Sequence, residues 1–460
     1  MALGQLTSDI RALLVLGLPL VGSQLAQASI QIVDTLMLGR YDVEVLAGVV
    51  LANALFFSTF IVGSGFAWAV TPLVAAAVTK GDLVRVRRVT RMGGWASLGF
   101  AALVIPVMLS GEALFLALGQ APEQAAIARE YLSVAAWGMA PALGVMVLRS
   151  HLTAVEHTRI VLWVTLAATL LNAFLNWVFI FGNLGAPEMG ARGAALASLA
   201  LHIASLGALV LYIQRWFPDQ ALFVRLWRPD WEELGQVLKL GWPIGVALLA
   251  ETGLFSAAAI MVGWVGAVEL AAHGIALQLA TMTFMIHMGL SHAATVRAGT
   301  AYARGDWAGL RRGGQAALIV SLSVALVSAC GLVALAEPLV SLFLDPNDPS
   351  RAMIIAIGAG LVVAAAIFQM ADGAQVTMIS LLRGLQDTRR PMILAAFSYW
   401  IIGAPLAYVI GILWGGGAFG VWMGLVAGLT CASGLLFHRF WRVMVPRLDA
   451  ASGELNASGQ

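Results

Sequence analysis

Twelve apolar stretches, each about 20 residues or longer, recur along this chain of 460 residues. A helix of that length crosses a hydrocarbon core of roughly 30 Å. The stretches fall near 11–38, 45–73, 92–110, 129–149, 160–182, 192–214, 235–262, 269–296, 314–344, 352–382, 392–413 and 418–440. Several exceed 25 residues, which predicts tilt, kinks or interfacial turns. Only 11% of the residues are charged, against about 25% in a soluble domain, so most of the surface is expected to face lipid. The formal net charge of +2 gives no basic excess, and no nucleic-acid partner is expected. Cys330 and Cys431 lie in apolar runs; two thiols build neither a disulfide framework nor a four-ligand zinc site.

Basic residues orient the spans. With the N-terminus inside, alternation of the loops places 22 of the 26 Lys and Arg residues on the inner side. Arg40, Arg129, Arg192 and Arg351 are left outside. Positive charge stays on the cytoplasmic side, so both termini are expected there, and a miscount of one span would scramble the split. Arg11, an apolar run and Ala26-Gln27-Ala28 have the look of a cleaved signal peptide. An internal repeat argues against cleavage, because it matches this segment as part of the fold.

A shift of 224 positions lays the first two spans on the seventh and eighth without a gap. Identical pairs include Gly17/Gly241, Pro19/Pro243, Ala26/Ala250, Gly65/Gly289, Gly81/Gly305, Asp82/Asp306 and Arg88/Arg312. Thr158-Arg159 matches Thr388-Arg389, and Gly190-Ala191 matches Gly417-Ala418. Six spans per repeat is an even number, so both halves enter the membrane in the same orientation. In such transporters substrate sites lie between repeats and access alternates by rocking of the bundles. The expected fold is therefore all-α and integral to the membrane, with twelve transmembrane helices in two pseudo-symmetric six-helix lobes. The lobes are 1–224 and 225–447, joined by a loop near 215–234, with a disordered tail at 448–460. Pro19 and Pro243 are read either as bending points or as static kinks.

Three carboxylates lie well inside apolar spans: Asp34, Glu251 and Asp372. Each costs about 2.5–3.5 kcal/mol at mid-membrane on insertion scales. The functional reading is a cation or proton site facing a water-filled cavity. The structural reading is an ion pair, for instance with Arg149 or Arg297. Gln24, Gln27, Gln31 and Asp34 share one face of the first span by their 3, 4, 3 spacing. Asn172 and Asn176, four apart on the fifth span, form a second polar face, or else interhelical glue. Gln369, Asp372 and Gln375 share a face of the tenth span, with Phe368 one turn before the aspartate and Phe255 one turn after Glu251. The repeat sets Gln27 opposite Glu251, an amide against a charge. His273, His287 and His292 near the eighth span suit a proton relay or plain hydrogen-bonded packing. Met282, Met285 and Met288 suit a surface that accepts many ligand shapes, or an ordinary core.

These residues, in this order, resemble the multidrug and toxic compound extrusion (MATE) family over about residues 8–443. The resemblance rests on Pro19 running to Val33-Asp34-Thr35, on Lys80-Gly81-Asp82 and Arg304-Gly305-Asp306, and on Glu251-Thr252. Its most specific stretch is Gln369-Met370-Ala371-Asp372 followed by Leu382-Arg383-Gly384-Leu385-Gln386-Asp387-Thr388-Arg389. Glutamate on the seventh span with aspartate on the tenth resembles the sodium-coupled NorM-like branch. The resemblance implies a V-shaped pair of six-helix lobes exchanging Na⁺ or H⁺ for small organic cationic drugs or dyes. It implies a multi-pass monomer of the bacterial inner membrane, with no cofactor beyond the coupling ion. It assigns Glu251 and Asp372 to the cation, as Na⁺ ligands or proton carriers, with Asp34 as a further coupling group. Asn172, Asn176, Gln27, Phe255, Phe368, Gln375 and Met285 are the expected polar cavity and substrate contacts. Asn176 stands where proton-driven DinF-like relatives tend to carry an acid, which argues against a proton mechanism confined to the N-terminal lobe. Phe368 stands where some NorM-like relatives carry tyrosine, so that hydroxyl is missing.

The alternative is a lipid-linked precursor flippase of the same superfamily, for which a more cationic cavity is expected. A major-facilitator transporter is disfavoured because Lys80-Gly81-Asp82-Leu83-Val84-Arg85 does not match its loop after span two. No P-loop, His/Asp pair or metal spacing suggests an enzyme or an ATP-driven pump.

Overall fold

In lipid a backbone must satisfy its own hydrogen bonds, and long helices are the way an open chain does so. The computed structural model describes residues 2–346 and 349–448. Beyond Leu448 the expected tail falls outside the described residues. Among the described residues, twelve helices are long and apolar enough to cross a membrane. They are Gly4–Tyr41, Val43–Thr79, Leu83–Leu109, Pro122–Ala154, Thr158–Phe181, Gly190–Trp216, Trp231–Val265, Ala267–Arg304, Trp307–Ala334, Arg351–Gly384, Arg389–Leu413 and Gly417–Leu448. All twelve expected spans are present, most extended by a turn or two of polar helix. The ninth is shorter than expected: it stops at Ala334, and Ala336–Ser341 forms a separate short helix around Glu337 and Pro338. Proline removes a helical donor and crowds the preceding turn, which ends the apolar run there.

The repeated Gly-Asp pair is a turn made twice. Gly81 and Gly305 take left-handed φ of 71° and 68°, a conformation that glycine adopts without penalty. Asp82 and Asp306 then cap the third and ninth spans. Their carboxylates accept from Arg85 N at 2.9 Å and Gly309 N at 2.7 Å. Such caps satisfy donors that a helix start leaves open.

The chain parts into two compact units, Gly22–Gly245 on the one hand and Met1–Val21 with Val246–Gln460 on the other. Both divisions fall inside the first helix of a repeat, at positions 224 apart. Paired glycines account for this. In the first unit the start of the seventh span lies on the second: Gly241 packs against Gly65 and Phe66, and Gly245 against Val62. In the other unit the start of the first span lies on the eighth, with Gly17 against Leu290 and Ala293, and Gly289 against Val21. Without a Cβ, backbones approach closely and gain dispersion contacts that lipid cannot supply. Within this second unit the tenth span is central, packing on the eighth, ninth and twelfth.

The loop before the seventh span is held by the third. Trp95 donates to Leu226 O at 2.7 Å and Arg91 to Arg225 O at 3.1 Å. Arg85 pairs with Glu233 at 3.0 Å, and Arg88 pairs with Asp230. The Arg88 guanidinium beside Asp230 holds its carboxyl below the usual carboxylate range.

A methyl at Gly65 would stand 2.5 Å from Gly241 O and Gly245 N, and one at Gly289 2.5 Å from Val21 N and Cα. Backbone cannot swing aside as a flexible side chain does. Gly65→Ala and Gly289→Ala are each expected to cost about 1–3 kcal/mol, read as a lowered Tm of the purified protein. Gly94→Ala, which meets nothing within 4 Å, is expected to leave Tm unchanged or raise it slightly.

Candidate functional site

Burying a carboxylate in an apolar bundle demands compensation from opposite charge, hydrogen bonds or water. In the unit containing the tenth span, two carboxylates share one neighbourhood. Asp372 is 1% exposed, and Glu251, partly exposed on the seventh span, lies within its electrostatic reach. The ion pairs anticipated for them do not form. Arg297 pairs with Asp9 at 2.6 Å, and Arg149 lies in the other unit, bonded to amides and a hydroxyl. Instead Arg383, from the stretch Leu382-Arg383-Gly384 singled out in the sequence, is buried at the end of the tenth span and faces Glu251 electrostatically. With both carboxylates ionised, two carboxylates and one guanidinium among the described residues leave this cluster one positive charge short of balance.

The amides around it are turned the same way. Gln375 donates its Nε2 to Tyr399 Oη at 2.5 Å, and Gln369 donates its Nε2 to Ala280 O at 3.0 Å. That leaves Gln369 Oε1, Gln375 Oε1 and Asp372 Oδ2 buried without a hydrogen-bond donor among the described residues. The three side chains recur at i, i+3 and i+6 on one helix face. Unsatisfied oxygens around a charge deficit are the donor set that a hard monovalent cation or a proton requires. Tyr399 lies within electrostatic reach of both carboxylates. It is 1% exposed and sits in a π-helical stretch, Ser398–Gly403, of the eleventh span. Such a stretch alters the side-chain register, and its kind recurs at functional sites.

An aromatic cluster closes one side. Phe368 meets Phe255 and Trp422 edge-on, both at 5.8 Å between ring centroids. Phe368 is 3% exposed, so its ring faces are taken by these neighbours, whereas Phe255 is only partly buried. Met285 is half-buried on the eighth span. His273 accepts from Trp422 Nε1 at 3.0 Å and is packed against that ring. His287 donates to Ser321, which donates to Gly373 O at 2.9 Å, the residue after Asp372.

The unit Gly22–Gly245 holds the remaining polar residues in two groups. Asn176 donates to Asp34 at 2.5 Å and to Asn172 at 3.3 Å. Two turns away, Gln24 and Gln27 bind Arg149 rather than extending a path to Asp34, and Gln31 is exposed. The polar stripe of the first span therefore serves two neighbours. Sequence reasoning missed Tyr399, whose hydroxyl gave no signal within an apolar run, and the inward turn of Arg383, for which its place in the most specific motif was the available clue.

Comparisons with known proteins bear on the family and the fold. The MatE family model matches residues 19–178 and 243–409, two segments that themselves begin 224 positions apart. The chain is 45% identical to the "Probable multidrug resistance protein NorM" of Rhizobium meliloti (strain 1021), covering 96% of this chain and 95% of that protein. It is 44% identical to the protein of the same name from Agrobacterium fabrum (strain C58 / ATCC 33970), covering 95% and 94%. The fold matches the crystal structure of MATE in the straight conformation with a TM-score of 0.86, at 19% identity over 96% of this chain and 97% of that one.

Tyr399→Phe removes the acceptor that orients Gln375. It is expected to raise the cation concentration for half-maximal activity by about 5- to 30-fold, as loss of one buried hydrogen bond does. The maximal rate at saturating cation is expected to hold. The measurement is dye efflux from proteoliposomes over a series of Na⁺ and H⁺ gradients.

Proposed function

The chain belongs to the MatE family, and from that premise we propose that it is a secondary active multidrug efflux transporter that exchanges Na⁺ or H⁺ for organic cations. It is a multi-pass bacterial inner-membrane protein and not an enzyme. The distribution of basic residues supports a cytoplasmic location for both termini. The halves 1–224 and 225–447 are its two lobes, with the ends of their first helices exchanged.

The observation that carries the coupling mechanism is the charge count around Asp372. Glu251 and Asp372 against Arg383 leave room for one positive charge, and the free oxygens of Gln369 and Gln375 suit a small hard ion or a hydronium-linked proton. In the outward-facing state Na⁺ or H⁺ takes that charge and the drug leaves. In the inward-facing state the ion leaves and a cationic drug is accepted. Coupling follows if each ligand favours a different conformational state. Phe255 supplies the accessible aromatic surface with Phe368 packed behind it, Met285 an adaptable wall, and Asp34, Asn172 and Asn176 a second polar region in the N-terminal lobe, with Gln27 held apart on Arg149. A cation over an aromatic face gains about 0.5–2 kcal/mol.

The flippase alternative is not favoured. The curated relatives matched along nearly their whole length are named as multidrug resistance proteins, and a pyrophosphate group calls for clustered cations, whereas the coupling cluster is net negative.

Glu251→Gln and Asp372→Asn are each expected to reduce ion-driven ethidium efflux at least about tenfold, with the amount of protein inserted in the membrane unchanged. Full efflux by either variant under imposed Na⁺ and pH gradients would overturn the mechanism.

A further inference from the structure

Arg149 carries a permanent charge on the fourth span, within the unit Gly22–Gly245. Its Nη1 donates to Gln27 Oε1 at 2.6 Å. Its Nη2 donates to Ser23 Oγ at 2.7 Å and to Gln24 Oε1 at 3.2 Å. All three acceptors are neutral. A guanidinium has five N–H donors; among the described residues the Nε proton and one Nη1 proton meet no acceptor. No acidic side chain of the described residues lies within electrostatic reach. Asp34, seven residues beyond Gln27 and so about 10 Å along the helix, is matched with Asn176 and Asn172 instead.

A guanidinium that only pinned two helices together would be best served by a carboxylate. The repeat offers one at this register: the counterpart of Gln27 is Glu251, and Glu251 does face an arginine. Here an amide stands in its place and the charge is left open. Arg149 also lines a small, partly open cavity together with Gln27, Thr165, His202 and Ser205 and apolar walls such as Val161 and Leu201. His202, also on the lining, makes no hydrogen bond to another described residue.

We propose that this cavity is an anion subsite, in which Arg149, helped by His202 and Ser205, receives the carboxylate of an amphiphilic organic substrate. The inference rests on the exporter reading for its physiological use, since a substrate carrying both charges would place its cationic end toward Asp34. The two lobes then hold sites of opposite sign at related places in the repeat: net negative at Glu251, Asp372 and Arg383, net positive at Arg149.

The test compares a free-acid rhodamine with its own methyl ester, which differ in one charge and share a scaffold. Fluorescence polarisation on the purified full-length protein gives both Kd values for wild type, Arg149→Gln and Arg149→Lys. Wild type is expected to bind the free acid at least about tenfold more tightly than the ester, as a charge-assisted, bidentate contact would require. Arg149→Gln should bring the ratio to about one, and Arg149→Lys should keep part of it. A wild-type ratio near one overturns the proposal, whether or not Arg149→Gln folds. So does a folded Arg149→Gln protein, recognised by its binding of the ester, that retains the wild-type ratio. Ethidium efflux by the wild type is measured in parallel. Its absence would count against the exporter reading alone, because the acid-to-ester ratio is read without transport.

Discussion

A charge held inside an apolar bundle has to be answered by countercharge, by oriented dipoles or by a ligand. Each compact unit of this transporter answers its buried charges incompletely, in opposite directions. Around Asp372, the one guanidinium of the cluster faces Glu251 alone, and the amide oxygens of Gln369 and Gln375 are left without a donor among the described residues. Around Arg149, three neutral oxygens face one cation. The energetic cost of both arrangements is the reason for reading them as binding sites, since packing alone would favour apolar side chains or a closed ion pair.

The scaffold that carries these residues is built from devices used twice. The Gly-Asp turn starts the third span and the ninth with matching geometry. Glycine surfaces seat the start of each repeat's first helix on the second helix of the other repeat. Gly241 rests on Gly65, and Gly17 reaches Leu290 beside Gly289. Both switches between units fall within a turn of a proline, Pro19 or Pro243. A single duplicated helix pair thus generates two compact units that each borrow a helix end from the other half of the sequence.

Much of this was legible in the sequence, and the physical reason is the solvent. Lipid enforces a minimum apolar length, so the spans could be counted without any periodicity. It also makes a carboxylate inside a span conspicuous, which singled out Asp34, Glu251 and Asp372. Helical spacing correctly grouped Gln369, Asp372 and Gln375. What was not legible depends on which helix faces which. Gln27 and Asp34 share a helix face but serve different partners, because Arg149 arrives from 122 residues away. Arg383 lies where a span meets a loop, and only tertiary packing turns it inward. Tyr399 is unremarkable in an apolar run until the eleventh span places it against Gln375. The exchange of helix ends was equally hidden, being set by contacts between glycines rather than by any one segment.

The central claim is that ion and drug compete for one net negative charge in the C-terminal lobe. The direct test adds a cationic substrate to purified protein in weakly buffered medium and records Na⁺ and H⁺ release together with substrate bound. The account predicts release of about one monovalent cation per substrate. Saturable binding of the substrate with release of neither ion would contradict it.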